Sequence, residues 1–134
     1  GGIWLSGAAI YASLAHIGEM GDAVKVVNMS FGGGSSGTYK RLFSAAPNVL
    51  FVAAAGNSQR PAKLTLPCAL SRELDNVTCV GATNQVDNRA YFSSFGEAVD
   101  LAASAMDVRG YERLKLERGG AFREGLERRL AAFA

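Results

Sequence analysis

Apolar and polar positions alternate in blocks that predict a short series of helices and strands. From Ile3 to Met20 the apolar residues Ile3, Ala9, Ile10, Ala12, Leu14 and Ile17 recur among further alanines, which predicts a mostly buried helix. Gly18 and Gly21 supply its stop. Ala23 to Phe31 is short, rich in β-branched residues and bounded by Gly21-Asp22 and Gly32-Gly33-Gly34, the signature of a strand. Thr38 to Ala46 predicts a short helix ended before Pro47. Asn48 to Ala55 is an unbroken apolar run, as expected of a strand buried on both faces of a parallel sheet. Asn76 to Thr83 predicts a third strand. Strands spaced by helices require right-handed crossovers, so the expected fold is an open α/β sheet.

Bulk composition narrows the function classes without choosing one. A chain of 134 residues, 49% of them apolar, can form one domain with a real core and is not a disordered segment. A net charge of +2 gives no argument for nucleic acid, and no apolar run is long enough to make a membrane span evident. Charge divides the chain: residues 1–106 hold seven basic and seven acidic side chains, whereas residues 107–134 hold seven basic and five acidic. A core-forming body followed by a segment of different character is expected. The start at Gly1, without methionine or leader, suggests a processed chain or a fragment and leaves the compartment unread. Cys68 and Cys79 lack a CxxC partner or a nearby histidine, so no metal site is expected; a disulfide and two buried thiols both remain open.

The glycines after the first strand admit two readings. Gly32 to Gly37 fits G-x-G-x-x-G between a strand and a helix, the setting of a dinucleotide fingerprint. That fingerprint also needs an acid at the end of the next strand, and none occurs until Glu73. The other reading starts from the strand ends. Sites in open α/β sheets form at the carboxyl ends of strands, here Asn28 to Gly33 and Ala53 to Asn57. Small residues there let a ligand backbone come close, and a single amide, Asn57, stands at the mouth. An Asn side chain offers two N–H donors and no titratable proton. It can stabilise developing negative charge, or simply cap the loop turn.

Val26 to Gly33 (VVNMSFGG), Val49 to Ser58 (VLFVAAAGNS), Val77 to Asn84 (VTCVGATN) and Ala90 to Ala103 (AYFSSFGEAVDLAA) closely resemble four consecutive blocks of the subtilisin-like serine proteases. They stand in the family's order at similar spacing, and the resemblance covers roughly residues 3–103. It implies part of a parallel, doubly wound subtilisin-like α/β sheet with flanking helices. Residues 1–103 would form a partial peptidase domain, and 104–134 a charged helical tail departing from the family. Carried over, Ser30, Phe31 and Gly32 would pair with substrate backbone. Ala54, Ala55 and Gly56 would wall the pocket for the residue before the scissile bond, with room for a sizeable apolar group. Phe31 would separate that pocket from a second apolar subsite. Asn57 would be the catalytic oxyanion donor, acting only on the transition state.

The same resemblance implies a protein or peptide substrate, a secreted or extracellular setting and no cofactor for the chemistry. It admits a structural calcium in the full-length relatives, where Asp100 aligns with an aspartate that helps hold a cation in some members; the plainer reading is a strand-end Asp facing water. The family's Asp and H-G-T-H motifs and its G-T-S-M-A nucleophile segment do not occur in these residues. His16 lacks the family's surroundings and reads as a structural or surface histidine. After Ala103, Leu114, Leu116, Phe122, Leu126, Leu130 and Phe133 fall at partly helical spacing among Arg and Glu. Two sequons occur: Asn28, in a strand expected to be buried, and Asn76, before a strand where it can be exposed.

Overall fold

In the computed structural model, residues 6–105 are described here. They form two helices and a four-stranded parallel sheet. Helix α1 spans Gly7–Glu19 and α2 spans Ser36–Ser44; the strands are β1 (Val26–Met29), β2 (Leu50–Ala54), β3 (Val77–Thr83) and β4 (Leu101–Ser104). Spatial order follows chain order, and every neighbouring pair is parallel. This is the expected α/β architecture. The first three residues of the expected helix, 3–5, and the expected helical tail from residue 106 lie outside the described residues.

The strands are shorter than their apolar runs. The expected strand from Ala23 begins instead with a 3-10 turn, Gly21–Ala23, because Gly21 adopts φ +56° and redirects the chain. Register sets Val26 opposite Leu50, Phe51 opposite Val77 and Val80 opposite Leu101. Side chains therefore alternate between two faces that differ sharply. One face carries Met29, Phe51, Ala53 and Cys79, all buried. It packs on α2 through stacked rings, Tyr39 on Phe43 and Phe43 on Phe51, with centroids 5.4 and 4.2 Å apart.

The other face carries Val26, Leu50 and Leu101, which are exposed, and Val52, Val80 and Ala82, which are half-buried. The expectation that Asn48 to Ala55 is buried on both faces is thus corrected: β2 alternates, because the described helices cover one side only. Asn28, expected buried, is exposed for the same reason, and its amide donates to Ser30 Oγ at 2.9 Å. Helix α1 is also more exposed than its alanine-rich sequence predicts; Leu14 alone is buried, with Ile10, Tyr11 and Ile17 packed partly against the core. It sits at the β1 edge, where only one stripe meets other elements.

Between β2 and β3 the chain makes 3-10 turns at Ala62–Leu64 and Cys68–Arg72. The question left open for the cysteines is settled: Cys68 and Cys79 form a disulfide that pins the second turn to β3, with Cα atoms 4.7 Å apart. Asn76 donates both amide hydrogens, to Phe43 O at 3.0 Å and Ala46 O at 3.1 Å. These carbonyls end α2, so the Asn76 amide serves as its cap and is not free for a glycan.

Candidate functional site

The carboxyl ends of β1 and β2 open onto two adjoining cavities. The first, about 560 Å³, is lined by Ser30 to Gly34, by Ala54, Gly56, Asn57 and Ser58, and by the loop residues Arg60, Leu64, Thr65 and Leu66. The second, about 440 Å³, lies over the open face of the sheet and is bordered by Val52, Val80, Phe92 and Ser93 among others. Ser30, Ala54, Gly56 and Asn57 belong to both. They form the partition between the cavities.

Each sequence-predicted residue can now be placed. Ser30, Phe31 and Gly32 continue directly from β1 and line the first cavity. On its other side, Phe31 borders an apolar cavity of about 210 Å³ between α1 and β1, lined by Ile10, Leu14 and Ile17. Ala54 and Gly56 line the first cavity, whereas Ala55 is buried and borders only the second. That difference follows from alternation along β2, which sends Ala53 and Ala55 to the helix side.

The turn carrying Asn57 is built by close approach. Gly56 has φ +97°, and a Cβ there would lie 3.2 Å from Thr65 Cγ2 and 3.4 Å from Ser94 Oγ. Its carbonyl accepts the Ser94 N–H at 2.9 Å, while Ala55 N–H donates to Val80 O at 2.9 Å. Two residues on, Gln59 N–H donates to Phe92 O at 3.2 Å. The backbone on either side of Asn57 is therefore fixed. Its amide, by contrast, makes no hydrogen bond among the described residues and stands exposed at the cavity mouth. A turn-capping Asn would have its amide engaged with nearby backbone.

The remaining candidates fall elsewhere. His16 lies on the exposed side of α1, 3.5 Å from Glu19, and lines neither of the two strand-end cavities. Asp100 is half-buried at the strand end. Its Oδ2 accepts the Cys79 N–H at 2.8 Å, tying the start of β4 to β3. Among the described residues no group of three or more acidic, histidine or cysteine side chains gathers into a metal site. No described helix is long and apolar enough to cross a membrane. The glycine run also has a structural explanation: Gly34 passes where a Cβ would lie 2.6 Å from Tyr11 Oη, and the Ser35 N–H at the start of α2 donates to that hydroxyl. The helix N-terminus that a dinucleotide needs is thus engaged by the protein itself.

Arg60, Leu64, Thr65 and Leu66 were not identified from sequence. They reach the cavity through irregular turns, where no periodicity marks them.

A model of the subtilase family matches residues 2–127. The chain belongs to this family. The match runs on past Ala103. Among similar proteins, "Subtilisin-like protease 8" of Arthroderma benhamiae is 34% identical over 109 residues, covering 73% of this chain and 21% of that protein. "Subtilisin-like serine protease pepC" of Aspergillus niger is 37% identical, covering 73% of this chain and 20% of the relative. The chain thus spans about a fifth of the length of these curated relatives. Among solved structures, a cold-adapted subtilisin-like serine proteinase superposes with a TM-score of 0.64 at 31% identity, over 74% of this chain and 36% of its own.

Proposed function

We propose that this subtilase segment supplies the substrate-binding wall and the side-chain oxyanion donor of a serine-type endopeptidase that hydrolyses peptide bonds in proteins. The observation that carries the reading is Asn57: a neutral amide without internal partners, on a fixed turn, at the mouth of a cavity walled by two strand ends. Such a donor needs no reorganisation as the carbonyl oxygen becomes negative. Ser30 to Gly32 would hold substrate as an added strand, Ala54 and Gly56 would flank the residue before the scissile bond, and Ala55 would support this wall from behind. An extracellular setting accords with the Cys68–Cys79 disulfide.

The Asp, His and Ser motifs of the family do not occur in these 134 residues, and a triad acts as a unit. The chain by itself therefore binds peptide without cleaving it. In that form it is a peptide-binding module, the alternative reading of the same cleft. Titration of the purified chain with a labelled neutral peptide should give saturable binding and no turnover. Gly32→Val should weaken that binding. A Cβ at Gly32 meets its nearest neighbour at 3.6 Å, an ordinary contact, and the two valine methyls beyond it should obstruct the cavity rim. Turnover by the chain alone would refute the division of labour, and absence of peptide binding would refute the cleft assignment.

A further inference from the structure

Among the described residues, Arg60 is the only ionisable side chain lining the first cavity. Its charge has no counter-ion among them. The ion pairs among the described residues join His16 to Glu19, Lys25 to Asp22 and Lys40 to Glu73, and none involves Arg60. The guanidinium makes one long hydrogen bond, from Nη2 to Leu64 O at 3.4 Å. The backbone beneath it is anchored: Arg60 O accepts the Phe95 N–H at 3.2 Å, and Pro61 bridges to Phe95. A fixed main chain thus presents an exposed cationic head to a cavity whose other walls include Ala54, Leu64 and Leu66.

We infer that Arg60 makes this cavity select an acidic side chain, glutamate above all, at the substrate residue it receives. This rests on the reading that peptide lies in the cleft, and it adds an acidic preference to the expected room for a sizeable apolar group. A glutamate offers a methylene stem for the leucine walls and a planar carboxylate for the guanidinium fork. Lysine at the same substrate position meets like charge, and glutamine keeps the size without the charge. Because Arg60 is exposed, the attraction is partly screened and its effect is moderate.

The test uses labelled peptides identical except for one position, occupied by Glu, Gln, Leu or Lys, with the variable position scanned along the peptide. The readout is Kd by fluorescence anisotropy on the 134-residue chain. At one register Glu should bind about three- to tenfold tighter than Gln, and the gap should shrink at about 0.5 M salt. Arg60→Gln should abolish the gap and Arg60→Glu should invert it in favour of Lys. Arg60→Lys should keep part of it, since charge remains but the fork is lost. Unchanged thermal melts should accompany all three variants. Equal binding of Glu and Gln peptides at every register, or a Glu preference that persists in Arg60→Gln, overturns the assignment while leaving the cleft reading intact. No binding by any peptide overturns both.

Discussion

The hydroxyl of Tyr11 accepts the backbone N–H of Ser35 at 2.6 Å, joining α1 to the residue that caps α2. The bond crosses the glycine run after β1 and closes it over the Tyr39 ring, which meets Tyr11 edge-on at 5.3 Å. Gly34 passes through the remaining gap at φ +96°. The cavity wall is therefore held from behind by an aromatic pair rather than by regular secondary structure.

Gly34→Ala should be among the most damaging single changes. Its Cβ would fall 2.7 Å from Tyr39 Cε2 as well as against the Tyr11 hydroxyl, at a φ that L-residues disfavour. The expected loss is about 2–4 kcal/mol, summing the backbone penalty and the overpacking. Chemical denaturation of the variant measures it; a loss below about 0.5 kcal/mol would show that the wall yields freely.

Reducing the disulfide should destabilise the chain by about 3 kcal/mol, the loop-closure contribution for a separation of 11 residues. Denaturation with and without reductant, or with Cys68→Ala and Cys79→Ala together, tests this. Equal midpoints would mean that the loop is ordered by the 3-10 turns alone.

Burial raises the Tyr39 hydroxyl above the ordinary tyrosine range, and neighbouring Tyr11 adds in the same direction. The folded state then holds this proton more tightly than the unfolded chain does. The resulting stability is complete below the ordinary value near pH 10 and is lost as pH rises through the folded pKa. Denaturation midpoints should fall above about pH 10, with a shallower fall in Tyr39→Phe. Identical pH profiles for the two proteins would contradict the assignment.

Asn57→Ala should separate binding from catalysis. The side chain is exposed and unpaired within the described residues, so stability should change by no more than about 0.5 kcal/mol. Peptide affinity of the chain should change little, because the donor acts on the transition state. In a full-length enzyme carrying this segment, kcat should drop by about 10² to 10³, the established loss for this donor in subtilisin. A large loss of peptide affinity would make Asn57 a binding residue instead.

The sequence revealed the parts of this fold that depend on local pattern. The runs through Val26 and Val52 announced their strands, and Thr38 to Ala46 announced α2 within two residues at each end. β4 was not anticipated as a separate strand, because Leu101-Ala102-Ala103-Ser104 has little β propensity of its own and takes its conformation from pairing with β3. Asp100, whose carboxylate grips the Cys79 N–H, helps start that pairing. The site divides the same way. The place of Asn57 and Ala54 at the cleft was legible because strand ends mark it, whereas Arg60 and Thr65 arrive by turns that only the folded loop defines.

The partition shared by the two cavities also constrains how such a cleft can diversify. Ala54 and Gly56 face both spaces, so enlarging either residue alters two volumes together. Arg60 and Leu64 border the first cavity alone, and Val80 and Phe92 the second. Recognition can thus drift through the Arg60 and Leu64 side chains, which border the first cavity alone. The end of β2 has no such independence, and a change there must satisfy two neighbours at once.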